Sequence, residues 1–420
     1  MRNRKALAAV LYAALAFSPA AANADAVSDW NGILVEIIKE QPPPFMNRFA
    51  AIMHLAVFEG VNAVTGDYDS YLGTIPAAPG ASAEAAAVAA AHGVLRSYFP
   101  NQAASLDAAR DSSLAKIPNG PAKDAGIATG EMAAAEMVAK RANDGSEPIE
   151  FYQPTSSEPG EWQLTPDCPP SGGVFSHWSK VKPFVIRRAD QFRADPPPAL
   201  TSRKYARAYK EVKDVGGADS SERSEEMADI VQLYAAVGDA ILWNPIAGQL
   251  AAAANGSLAE NARMFALLNV ALHDVAVALV DTKYHYAFWR PETAIRNGGA
   301  DHNPRTEPDP SFKPFISTPC HPSYVSGHAA TSYAVRAVLE RIFGPRGHDI
   351  VVSSPALPDV TLRYSKLSDI TADIDDARVY GGIHFRFDQE NGEEQGGRVG
   401  AYVYKHILRP ANGNSCPEQE

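Results

Sequence analysis

Apolar residues recur at three-to-four spacing along most of this chain. Residues 48–64, 81–99, 125–141, 221–237, 261–280, 327–343 and 391–408 are rich in Ala, Leu and Val in that pattern, which predicts a helix over each. The two-residue alternation of a half-buried strand is scarce, so the expected fold class is all-α. Between the helical stretches lie polar, proline-rich segments, chiefly 147–200 and 302–322. They are too polar for core and too long for simple turns. Such segments either shape a substrate channel or pad the surface.

Part of the pattern repeats. Residues 48–59 echo 263–274, and 94–99 echo 338–343; in the same register Ser82-Ala83-Glu84 falls opposite Ser326-Gly327-His328, and Gly126 and Gly130 opposite Gly396 and Gly400. Two helical bundles related by a degenerate internal repeat are expected, the second catalytic and the first a packing partner. Chance similarity of Ala-rich helices is the competing explanation. The expected organisation is a signal peptide over 1–24, a non-catalytic bundle over 25–145, a proline-rich linker over 146–220 and a catalytic bundle over 221–420. The leader is read from basic Arg2, Arg4 and Lys5, the apolar run 6–17, and the small-residue exit Ala22-Asn23-Ala24. Export to a periplasm or beyond follows. No later apolar run looks long and unbroken enough to span a bilayer, so membrane insertion is not expected.

A net charge of −11 with no basic stripe argues against nucleic acid as a partner. Three cysteines, Cys168, Cys320 and Cys416, are too few for a disulfide scaffold. Export allows one bridge, and Cys168–Cys320 is favoured because both lie in proline-rich loops, though spacing alone leaves the pairing open.

Three clusters carry the chemistry. The first is Lys283 to Arg290-Pro291, the second Ser326-Gly327-His328 and the third Arg378 to His384. They supply three fixed cations, a hydroxyl, a glycine amide and two imidazoles, a set suited to gripping one oxyanion. Lys283 and Arg290, seven apart, would share one helical face, with Pro291 ending the helix there and Phe288 and Trp289 covering it. Ser326-Gly327-His328 opens a helix, whose free N–H groups form an anion site. Arg378 and His384 would converge across the Gly381-Gly382 turn. His54, His92, His273 and His406 fall within helical stretches and read as core or surface residues. No zinc motif is present.

Taken in order, K-x6-R-P, then S-G-H after a proline-rich loop, then R-x5-H, resemble the vanadium-dependent haloperoxidase and acid phosphatase superfamily. The extended first cluster, Lys283 through Arg296, is similar to the bacterial haloperoxidase branch, and the likeness also takes in 159–162, 178–184 and 192–216. The resemblance implies vanadate as cofactor, bound through His384. Lys283, Arg290, Ser326, Gly327 and Arg378 would hold its oxygens, with His328 as acid–base. Hydrogen peroxide would be activated as peroxovanadate, polarised by Lys283, and a halide oxidised to hypohalous acid. His321 stands where bromoperoxidases of the family carry a histidine, which implies bromide. Two departures stand out. Val325 replaces the usual Pro before Ser-Gly-His, and Ala377 replaces a frequent Ser before the Arg. The alternative from the same superfamily is a phosphomonoesterase in which His384 is the nucleophile and phosphate fills the pocket. A non-enzymatic phosphate or vanadate scavenger would explain the cage but leave two histidines unused. A small organic acceptor and self-association are both left open by the sequence.

Overall fold

A computed structural model describes residues 25–411 apart from Thr74; the expected signal peptide and Cys416 lie outside the described residues. The chain runs through thirteen described α-helices: α1 Ala26–Ile38, α2 Pro43–Thr65, α3 Ala83–Tyr98, α4 Ala103–Ala115, α5 Pro121–Arg141, α6 Arg203–Val215, α7 Glu225–Ala236, α8 Asp239–Ala254, α9 Leu258–Tyr286, α10 Pro291–Arg296, α11 Gly327–Phe343, α12 Leu367–Tyr380 and α13 Arg386–His406. One antiparallel hairpin, β1 Arg346–Ser354 and β2 Leu357–Lys366, interrupts this all-α architecture.

The core is built on α9. Ser257 caps its start and Glu260 reaches back to the Ser257 amide at 2.7 Å, so two of the free N–H groups are satisfied reciprocally. Beyond this cap α9 is apolar nearly all round, which is the pattern of a helix enclosed by others. Contrary to the sequence expectation, α9 is long and apolar enough to cross a membrane, with a mean hydropathy of 1.7. Its apolar window is 94% buried, so α2, α11, α13 and the loop at 176–180 already occupy the surface a bilayer would cover.

The two halves share more than composition. Ser82 caps α3 through the Ala85 amide, as Ser326 caps α11 through Ala329. α5 packs on α3 as α13 packs on α11. A Cβ on Gly126 would meet the Ser82 carbonyl and one on Gly130 the Ala86 carbonyl. Gly392 and Gly396 face Ser326 and Ala330 in the same way. The structural partners of Gly126 and Gly130 are therefore Gly392 and Gly396, one helical turn earlier than the sequence echo with Gly396 and Gly400 implies. The slip arises because Gly392, Gly396 and Gly400 repeat every four residues and offer more than one register. Acidic residues at matching places also play matching parts. Glu59 accepts from Ser70 and the Tyr71 amide, and Asp274 accepts the amides of Phe184, Val185 and Ile186 at 2.7–2.9 Å.

Residues 146–220 are not a plain linker, since α6 lies within them. Its Tyr205 and Tyr209 are buried although the helix is strongly polar on its other face. The disulfide joins Cys168 to Cys320 across 152 residues and ties this region to the loop before Ser326.

Candidate active site

Lys283 lies in the last turn of α9, but Arg290 is not on the same helical face. The helix ends at Tyr286, Ala287 takes a left-handed conformation (φ 43°), and Arg290 caps α10 with Pro291 as its first residue. Proline thus starts a new helix rather than stopping the old one, as its fixed φ and missing N–H favour. Phe288 and Trp289 are buried, as the aromatic neighbourhood suggests. Arg378 lies in the last turn of α12, and the chain reverses at Gly382 (φ 80°) before reaching His384. A Cβ on Gly382 would strike the Gly216 carbonyl, and Phe315 and Ile316 donate to Gly216 and Gly381. The segment after α6 therefore braces the turn that brings Arg378 and His384 together.

Asp388, which the sequence reading missed, fixes His384. Its Oδ2 accepts from His384 Nδ1 at 2.9 Å, from Ser323 Oγ at 2.5 Å and from the Phe385 amide at 3.1 Å. The proton of a neutral His384 is thereby held on Nδ1, leaving the Nε2 lone pair as an acceptor, which takes a hydrogen bond from Arg290 Nη1 at 3.1 Å. Burial, with Arg290 and Lys283 adding to it, holds His384 well below the usual histidine range, so it is neutral. Burial pushes Asp388 up to about 6 against Ser323 and the cations. The four-residue step from His384 to Asp388 is a sequence signal for one helical face. It is obscured by the loop-to-helix junction at Phe385.

The cations differ in what they have free. Arg290 donates to the carbonyls of His321 and Ile383 at 2.8 Å and approaches His321 Nδ1 at 3.0 Å. Lys283 Nζ donates to three carbonyls, those of Pro322, Ser323 and Val325, at 2.5–2.9 Å. All three of its protons brace the loop before Ser326, through the peptide of Val325 where the sequence departs from proline. Lys283 can meet an oxyanion only by exchanging one of them. Arg378 is the opposite case. It is 2% exposed, and its Nε and Nη2 have no partner. Burial lowers it to about 10, still charged at neutral pH.

At the N-terminus of α11, Gly327 lines the cavity and a Cβ on it would meet nothing within 4 Å, so a ligand can come close to the backbone there. His328 stands next, its ring against Gly238, where an added Cβ would lie 3.1 Å from Nε2. Burial, then Arg378, Lys283 and Arg290, depress it well below the ordinary value. His321, His328, His384, Lys283 and Gly327 line one cavity of about 570 Å³. Of the other predicted residues, Arg290 reaches His321 and His384, whereas Ser326 and Arg378 are buried and do not line the cavity. A buried guanidinium with Nε and Nη2 unpartnered, a neutral imidazole with a directed lone pair and a helix N-terminus at the cavity fit vanadate or phosphate, which need a nitrogen ligand and charge-assisted donors.

The chain is similar to known proteins both in sequence and in fold. Residues 263–413 match the family model of the VCPO second helical-bundle domain. Over 99 residues the chain is 34% identical to vanadium chloroperoxidase of Curvularia inaequalis, a match covering 21% of this chain but only 15% of that enzyme. A bacterial vanadium-dependent iodoperoxidase structure superposes with a TM-score of 0.75 and 26% identity, covering 92% of this chain and 96% of the other. The apo and holo forms of a bacterial vanadium-dependent chloroperoxidase share the fold at TM-scores of 0.69 and 0.68 and 17% identity. They cover 86% and 92% of this chain and 92% and 93% of theirs. The second half of the chain thus matches a vanadium chloroperoxidase helical-bundle domain, and the chain as a whole shares the fold of a bacterial vanadium-dependent iodoperoxidase.

Proposed function

We propose that this protein is a vanadate-dependent haloperoxidase that oxidises halide, bromide foremost, with hydrogen peroxide to hypohalous acid. The observation that carries the proposal is the pairing of a neutral His384, its Nε2 lone pair directed by Asp388 toward Arg290, with Arg378, whose Nε and Nη2 have no protein partner. His384 would ligate vanadate through Nε2, with Arg290, Arg378, Ser326 and the Gly327 amide holding its oxygens. Bound vanadate supplies a Lewis-acid centre that activates peroxide without changing oxidation state. His328 takes a proton from incoming peroxide and returns it as water departs. Burial, then Arg378, Lys283 and Arg290, hold His328 well below the ordinary histidine range, so it enters the step as the proton acceptor. The buried guanidinium groups disperse the negative charge at no cost in reorganisation.

The bromide assignment rests on His321, whose ring lines the cavity and whose Nδ1 lies against Arg290. Export rests on the leader-like start and is compatible with the Cys168–Cys320 bridge. Two variants test the division of roles. His384→Ala should abolish tight vanadate uptake, whereas His328→Ala should take up vanadate normally and lose peroxide-dependent bromination by at least a hundredfold. Tight uptake by the first or near-normal turnover by the second would contradict the roles given.

A further inference from the structure

The Cys168–Cys320 disulfide stands at the edge of the oxyanion cage, beside the groups that would touch an anion and not among them. Cys320 directly precedes His321, whose carbonyl accepts from Arg290 Nε and whose Nδ1 lies against Arg290 Nη2. Pro322, Ser323 and Val325 then give their carbonyls to Lys283, and Ser326 caps α11. One short segment thus orients two cations of the site. Its far end is tied to the second bundle, the Ser323 amide donating to the Phe288 carbonyl and the Ser326 amide to that of Asp388. Its near end is tied to the 146–175 region by the disulfide and by the Val174 amide, which donates to the Cys320 carbonyl at 2.9 Å. Both cysteines are half-buried, and Asp167, Pro169 and Pro170 beside Cys168 are exposed, so a small thiol or peroxide can reach the bond. The 146–175 region has other holds. The Tyr152 and Gly173 backbones pair in both directions, the Trp162 amide donates to the Ala287 carbonyl, and Tyr284 donates to that of Val174.

We propose that Cys168–Cys320 is a redox-controlled clamp on the oxyanion site. Closed, it holds the 320–326 segment so that Arg290 and Lys283 are in place before an anion arrives, which lowers the entropy lost on binding. Open, it frees that segment, and anion affinity falls. Cys168 and Cys320 are positioning residues, acting through His321 and the carbonyls that follow it. A dithiol opens the clamp by exchange: its thiolate attacks one sulfur, its second thiol closes a cyclic disulfide and leaves, and both cysteines end as thiols. Hydrogen peroxide closes it again. One cysteine thiolate takes an oxygen and becomes a sulfenic acid, the other thiol displaces that oxygen, and one water leaves at each step. The proposal rests on the vanadate-cage reading and not on halide oxidation.

The test measures orthovanadate binding by equilibrium dialysis, with helix content followed by circular dichroism. Every protein carries Cys416→Ser, so that one pair alone exchanges. The parent protein is used oxidised, reduced by dithiothreitol and desalted anaerobically, and reduced then treated with equimolar peroxide. Cys168→Ser/Cys320→Ser gives a permanently open form. Asp167→Ala is the control, since Asp167 accepts from Ser317 Oγ at 2.6 Å and its loss loosens the same loop with the bridge intact. The expected result is a vanadate Kd at least tenfold higher for the reduced protein and the double variant, at unchanged helix content. Peroxide should restore the reduced protein, and Asp167→Ala should bind within twofold of its parent. Folded open forms that bind vanadate within twofold of the oxidised protein would overturn the clamp. So would an equal loss in Asp167→Ala, or loss of helix content in both open forms, which would make the bridge a staple of the fold. A redox-dependent Kd in a protein without bromination would support the clamp and overturn the haloperoxidase reading. No vanadate binding by any form would overturn the cage, and the clamp with it.

Discussion

Asp388 accepts hydrogen bonds from His384, Ser323 and the Phe385 amide at once, so its removal frees the His384 ring and leaves two buried donors unpaired. Asp388→Ala should weaken vanadate binding about 10- to 100-fold, as expected when the partner of a ligating histidine is lost. Asp388→Asn keeps a carbonyl acceptor and should recover part of the loss. A vanadate titration showing equal affinity in all three proteins would remove Asp388 from the site. Gly238 acts on the other imidazole. Gly238→Ala places a methyl 3.1 Å from His328 Nε2, so bromination should drop at least tenfold with vanadate affinity unchanged. Unchanged bromination kinetics would show that the ring has room to move. Neither Asp388 nor Gly238 was legible in the sequence. Each works through a contact that forms only after the chain has folded back, whereas the ligands themselves sit in compact spacings.

α12 carries Arg378 into the site, and its inner face also buries Asp375. One oxygen of Asp375 accepts from Tyr333 of α11 at 3.0 Å and the other has no partner. Burial raises this carboxyl to about 7, opposed by the Tyr333 hydrogen bond. A group that binds its proton more tightly folded than unfolded stabilises most below its unfolded value of 3.8. That contribution erodes as pH rises toward 7 and is gone above it. Asp375→Asn should therefore raise Tm more at pH 8 than at pH 4.5. An equal or reversed difference in thermal scans would contradict the assignment. Long apolar helices such as α2, α9 and α11 were plain from periodicity. α1, α4, α6, α8, α10 and α12 were not, being short, polar on one face or interrupted, as α8 is by Pro245. The hairpin β1–β2 escaped notice because its burial alternates only in part.

Across the molecule, the internal echo pointed to two bundles. The carbonyl-contacting glycines of α5 and α13 give that echo a physical cause, because only glycine lets those backbones approach so closely. What the echo could not tell was that the first bundle walls the catalytic cavity, with Val35 of α1 and Met46 of α2 in its lining. That depends on how α1 and α2 are placed against α7, α9 and α11, which long-range packing decides. Nor could spacing show that Lys283 spends all its protons on the loop before Ser326, since those acceptors are backbone carbonyls common to every residue. The central claim is that this assembly holds vanadate in order to oxidise halide. The most direct test is peroxide- and bromide-dependent bromination of a β-diketone dye by vanadate-free protein titrated with orthovanadate, beside hydrolysis of a chromogenic phosphomonoester. Bromination that rises from background and saturates at one vanadate per chain is the predicted result. Phosphatase turnover that vanadate inhibits, with no bromination at any vanadate concentration, would contradict it.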